Sequence, residues 1–170
     1  MKTKARRYSV IKRLIYVLFF LIALTLQSTF LGGLPIALTL LVPVTAAVCS
    51  FEKELGGMLF GLLGGALYDI VSPAADGIFA LLFTLLGCAA ALMMRYVLRG
   101  TLLSVFIITL VFSLLAAFTG FAFTVLAKST EGAFALFRLR VLPGALLTAL
   151  TLPVFYYPVR AVNNRLQERL

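Results

Sequence analysis

The sequence predicts an all-α integral membrane protein with six transmembrane helices. Hydrophobic residues make up 62% of the 170 residues and charged residues only 12%, too few to cover the surface of a soluble domain of this length. Several apolar runs are long enough to cross a bilayer core of about 30 Å. Short stretches rich in charge, Gly or Pro separate these runs, as expected for the connections between membrane helices.

A basic leader and three predicted spans make up the first half of the chain. Residues 1–13 carry six Lys or Arg and form the expected cytoplasmic leader. A basic start before an apolar run also resembles a signal peptide, but the run at 14–31 is longer than a typical signal-peptide core. We therefore interpret it as a retained first helix. The second span is expected at 34–50, with a kink at Pro43, and the third at 55–71.

Three further spans are expected at 78–94, 101–126 and 141–159, which completes a transmembrane domain at 14–159. The connection at 128–140 mixes apolar residues with Arg138 and Arg140, which favours a segment lying at the membrane interface. These two arginines are either lipid anchors or a site for lipid phosphates or an acidic partner. Tyr156 and Tyr157 fit an interfacial aromatic belt. Residues 160–170 form a short cytoplasmic tail, in which Asn163 and Asn164 are expected to be solvated.

The distribution of basic residues predicts the topology. Twelve of the 15 Lys and Arg residues fall on the side of the N-terminus and three on the other side. Because basic residues are enriched in cytoplasmic segments, both termini are expected in the cytoplasm. The net charge of +9 is explained by this placement beside anionic membrane lipids, so nucleic acid is not an expected partner.

The sequence offers no constellation of residues for catalysis. Histidine is absent, which removes the commonest general base and the commonest metal ligand. Cys49 and Cys88 lie in apolar runs and have no C-x-x-C spacing, so we expect two free thiols. We therefore predict a protein that is not an enzyme and that has no cofactor or metal site.

The third span contains the most informative pattern. Gly57, Gly61, Gly65 and Asp69 recur at every fourth residue and therefore share one face of a helix. Small residues at this spacing let a second helix approach closely, either within the same bundle or from a partner protein. We treat all four residues as candidates for helix packing or partner docking.

Asp69 is one of six acidic residues in the chain. It is either solvated near the outer end of the third helix, or hydrogen-bonded in a buried position within the bundle or against a partner. A proton-relay role would need a second acid inside the membrane. The nearest acidic residue, Asp76, has the sequence setting of a loop.

These features resemble the MreD family of bacterial rod shape-determining membrane proteins. The resemblance rests on the basic start, the six spans, the third-span residues Gly61-Leu62-Leu63 followed by Asp69, and Gly77-Ile78-Phe79-Ala80-Leu81 after a short loop. It implies a fold similar to the S-components of energy-coupling-factor vitamin transporters. It also implies a location in the bacterial cytoplasmic membrane.

The same resemblance implies a non-catalytic scaffold of the cell-elongation (Rod) complex that supports cell shape and peptidoglycan synthesis. The implied membrane partner is MreC, which would connect the chain indirectly to MreB, RodA and a class B penicillin-binding protein. Two alternatives stay open. One is an S-component-like, vitamin-binding subunit of a membrane transporter, and the other is a membrane enzyme that acts on lipid-linked intermediates.

Overall fold

The computed structural model describes residues 2–31, 39–72, 77–96, 101–123 and 142–167. These residues form helices and contain no β-strand. The helices are α1 (Lys2–Leu26), a short π-helical segment (Gln27–Leu31), α2 (Leu41–Phe51), α3 (Glu54–Val71), α4 (Ile78–Tyr96), α5 (Leu102–Phe121), α6 (Leu142–Leu150) and α7 (Leu152–Gln167). The described part of the chain is therefore all-α, as its composition predicts.

Five segments are long and apolar enough to cross a membrane, namely Val10–Thr29, Glu54–Val71, Ile78–Tyr96, Leu102–Phe121 and Leu142–Arg165. The last of them combines α6 and α7. The predicted number of six spans is not confirmed, because the expected second span at 34–50 corresponds to α2, which has only 11 residues. The first residues of that span, and the predicted interfacial segment at 128–140, lie outside the described residues.

The short helix α2 forms the centre of the bundle. Every residue from Leu41 to Ser50 is buried, and α2 contacts each of the other six helices. A helix that meets protein on all sides is apolar all round, which fits its run of Val, Ala and Leu. Pro43 lies in its first turn, where a missing N–H is tolerated, instead of kinking a longer helix.

One end of the bundle, which we name the charged end, holds Lys12, Glu52, Lys53, Glu54, Arg95 and Arg160. Lys12 Nζ lies 2.8 Å from Glu52 Oε1, and Arg95 forms a second ion pair with Glu54. The first pair joins α1 to the α2–α3 connection, and the second joins the start of α3 to the end of α4. The polar ends of several helices therefore lie together at the charged end, whereas the middle parts of these helices are apolar.

Two expectations for the end of the chain are wrong. Tyr156 does not face outward as a residue of an aromatic belt would, because its side chain is fully buried and its ring centroid lies 5.6 Å from that of Phe51. Tyr157, by contrast, is 62% exposed. Asn163 is buried although Asn164 is exposed. Since α7 continues beyond residue 159 as a helix, residues seven positions apart return to the same buried face.

Candidate functional site

The glycine row of α3 lies against α4 of the same chain, and this is the most extensive helix contact in the described structure. Gly57, Gly61 and Gly65 are all buried. A Cβ atom built on Gly61 would lie 2.9 Å from the carbonyl carbon of Phe83, and one on Gly65 would lie 2.6 Å from Cα of Ala80. Backbone therefore faces backbone along this contact, which we name the α3–α4 seam.

A pair of facing glycines forms the closest point of the seam. A Cβ atom on Gly57 would lie 2.5 Å from the carbonyl oxygen of Gly87, and one on Gly87 would meet the carbonyl of Gly57 in return. The Sγ of Cys49 donates a hydrogen bond of 3.3 Å to that same Gly57 carbonyl. At this point α3 and α4 approach so closely that both positions require glycine, and α2 contacts the same point through the side chain of Cys49.

Gly87 and Cys49 are members of the site that sequence reasoning missed. Gly87 is a single glycine in an apolar run, and a free Cys in such a run usually packs as a small hydrophobe. A sequence pattern that includes Gly87 does exist. Phe79, Phe83, Gly87 and Ala91 recur at every fourth residue and form the row on α4 that faces the glycines of α3. Recognising that row requires knowing first that α3 and α4 are antiparallel neighbours.

Asp69 completes the seam by capping the start of α4. Its Oδ1 accepts a hydrogen bond from the backbone N–H of Phe79 at 3.1 Å, and its Oδ2 accepts one from Ala80 at 2.9 Å. Because α4 begins at Ile78, these amides belong to the first turn, which has no acceptors within the helix. The negative charge also interacts favourably with the helix dipole. Asp69 is half-buried and hydrogen-bonded within the bundle, so it is not merely solvated.

Gly77 lets the chain enter α4 immediately beside this cap. Its φ of 85° lies in the left-handed region, which glycine adopts without steric cost. Its carbonyl accepts a hydrogen bond from the N–H of Leu81 at 3.1 Å and so begins the hydrogen-bond series of the helix. The segment Gly77–Leu81 is therefore a helix start in which Asp69 accepts hydrogen bonds from the amides of Phe79 and Ala80.

Aromatic side chains pack beside the capped end of the seam. The ring centroid of Tyr68 lies 4.5 Å from that of Phe79 and 5.6 Å from that of Phe83. Phe83 in turn lies 5.7 Å from Phe112 on α5. These ring contacts connect the capped start of α4 to α3 and α5.

A second polar arrangement lies at the buried start of α2. The Oε1 of Gln27 accepts hydrogen bonds from the N–H groups of Leu40 at 3.0 Å and Leu41 at 3.2 Å, and Thr148 Oγ1 accepts one from Thr39 at 3.2 Å. Both acceptor side chains are buried. Unpaired amides in a membrane interior cost several kcal/mol each, so these side chains stabilise a helix that begins inside the bundle.

Gln27→Leu is expected to lower the free energy of unfolding by about 2–6 kcal/mol, because it leaves the buried amide of Leu41 and the half-buried amide of Leu40 without an acceptor, at about 1–3 kcal/mol each. Denaturant titration of the purified protein in mixed micelles measures this loss. Thr25→Val is the matched control, because Thr25 is exposed and its hydroxyl donates only to carbonyls of its own helix. Equal effects of the two variants would contradict a capping role for Gln27.

Comparisons of the chain with protein-family models, with curated proteins and with solved structures found no match. Among the described residues, no group of three or more His, Cys, Asp or Glu side chains is placed to hold a metal ion. The long apolar helices of the described structure are typical of helical membrane proteins with several spans. Within that class, this chain is characterised by a glycine seam with a carboxylate cap.

Proposed function

We propose that this chain is an MreD-like, non-catalytic scaffold of the bacterial cell-elongation complex. The observation that carries the proposal is the hydrogen-bonded junction between Asp69 and the start of α4. The two short motifs behind the MreD resemblance, one ending in Asp69 and the other at Gly77–Leu81, meet at this junction. The first motif supplies the carboxylate and the second supplies the amides that donate to it, which supports interpreting the two as one motif.

In this proposal the glycine row shapes the bundle, and the partner binds elsewhere. Gly57, Gly61 and Gly65 are covered by α4, so a partner helix on the row would have to displace α4. MreC would instead contact the outward apolar side chains, and MreB, RodA and a class B penicillin-binding protein would be reached through MreC. The charged end would face the cytoplasm of the bacterial cell, in agreement with the excess of basic residues there.

Co-expression with tagged MreC from the same bacterium tests the proposal. The two proteins are expected to purify together in mild detergent, and a tagged one-span membrane protein of unrelated sequence is expected not to retain this chain. Size-exclusion chromatography must show that each partner is monodisperse. Two well-folded proteins that elute separately would contradict the proposed function.

A second candidate function, the S-component-like vitamin-binding subunit, is favoured by the position of α2. At about 1.5 Å per residue, its 11 residues span about half of a bilayer core of about 30 Å. Because α2 ends at the charged end, its capped start lies near the middle of the membrane. Helices that begin at this depth mark binding sites in many transporters.

Native mass spectrometry of the protein purified from its host distinguishes the two candidates. A transporter subunit is expected to retain a small polar molecule of one defined mass. A scaffold is expected to show no such molecule while still binding MreC. A retained ligand together with failure to bind MreC would favour the transporter subunit.

A further inference from the structure

We propose that a cleft at the charged end binds the phosphate headgroup of an anionic phospholipid. The cleft lies between the end of α2, the connection from α2 to α3 and the end of α4, and its volume is about 350 Å³. Ligand sites in proteins commonly measure about 300–1,000 Å³. The lining residues that matter for the argument are Phe51, Glu52, Lys53, Met94 and Arg95.

The charges around the cleft leave an excess of positive charge. Glu52 is paired with Lys12, and Glu54 is paired with Arg95. Lys53 is exposed and forms no ion pair with any residue that the structure describes. Arg95 uses one terminal nitrogen for Glu54, and a guanidinium has five N–H donors in total. Lys53 and the remaining donors of Arg95 are therefore available to an anion.

The depth of the cleft identifies the source of that anion. Glu54 is the first residue of α3 and Arg95 lies in the last turn of α4, and both helices are long and apolar enough to cross the membrane. The cleft therefore lies at the level of lipid headgroups. Its apolar wall, formed by Phe51 and Met94, suits the glycerol and upper acyl chain of a lipid better than it suits a soluble phosphate or an acidic peptide.

Native mass spectrometry of the full chain in detergent, titrated with phosphatidylglycerol, tests this site. The wild-type protein is expected to retain phosphatidylglycerol in preference to phosphatidylcholine, whose headgroup has no net charge. Lys53→Gln is expected to weaken phosphatidylglycerol binding about fivefold. Arg13→Gln is the matched control, because Arg13 is an exposed basic residue of α1 outside the cleft, and it is expected to change binding by less than about twofold.

A second variant separates the cleft from general attraction to charge. Met94→Trp adds bulk to the lining of the cleft without changing any charge, and it is expected to reduce phosphatidylglycerol binding in protein that remains folded and monodisperse. Equal losses with Lys53→Gln and Arg13→Gln would overturn the proposal in favour of diffuse attraction. Displacement of the lipid by soluble glycerol phosphate, or by an acidic peptide, at similar concentrations would also overturn it. None of these outcomes depends on whether the chain binds MreC.

Discussion

Gly61→Leu is expected to prevent α3 from packing against α4 and to abolish the yield of folded, monodisperse protein. Even a Cβ atom at this position would lie 2.9 Å from the carbonyl carbon of Phe83, which is backbone and has no rotamer with which to move away. A leucine side chain would therefore force the two helices apart along the whole seam. Fluorescence-detected size-exclusion chromatography of detergent extracts measures the outcome.

A smaller change at the same position gives a quantitative comparison. Gly61→Ala is expected to lower the free energy of unfolding by about 1–3 kcal/mol, the usual cost of overpacking. Gly120→Ala is the matched control, because a Cβ atom there would make only an ordinary contact of 3.6 Å with Phe79. Since alanine favours helix over glycine by about 1 kcal/mol, the control is expected to be neutral or stabilising. If Gly61→Ala and Gly120→Ala changed the free energy of unfolding by the same amount and in the same direction, the close packing of the α3–α4 seam would be contradicted.

Asp69→Ala is expected to lower the free energy of unfolding by about 1–3 kcal/mol, because two amides of α4 lose a charged acceptor. Asp69→Asn is expected to lose roughly half as much, since an amide side chain keeps one acceptor oxygen. Asp69→Ala is expected to loosen the start of α4 in addition to lowering the stability of the whole fold. Hydrogen exchange of the Phe79 and Ala80 amides is expected to accelerate more than that of amides in the middle of α4.

Thr84→Val provides the control for the Asp69 variants. The hydroxyl of Thr84 donates to the carbonyl of Ala80 within α4, so its removal deletes a hydrogen bond of the same helix but leaves the cap intact. Exchange at Phe79 and Ala80 is expected to stay slow in this variant. Unchanged exchange at these two amides in Asp69→Ala would show that the carboxylate does not hold the start of α4.

Part of the site could be predicted from sequence because it depends on periodicity alone. The fourfold spacing places Gly57, Gly61, Gly65 and Asp69 on one helical face whatever lies opposite. The identity of the opposing helix could not be predicted in this way, since G-x-x-x-G spacing fits any close neighbour. The hydrogen bonds from the amides of Phe79 and Ala80 to Asp69 could not be predicted from periodicity either, because every residue except proline has such an amide.

Other features of the structure could not be predicted from sequence, because they depend on tertiary contacts that an apolar composition does not specify. A hydropathy pattern does not distinguish a short helix buried in protein from part of a membrane span, and α2 reads as apolar in either setting. The capping role of Gln27 depends on where the distant residues Leu40 and Leu41 fold back, so it has no local signature. The burial of Tyr156 likewise follows from its contact with Phe51, far away in the chain.

A structure of this chain with MreC, the partner that we propose, determined in a lipid nanodisc by cryo-electron microscopy, tests the central claim most directly. We predict that Gly57, Gly61 and Gly65 face α4 of the same chain, that Asp69 caps Phe79 and Ala80, and that MreC contacts an outward face of the bundle. A transmembrane helix of MreC lying on the glycine row, with α4 displaced, would contradict the account.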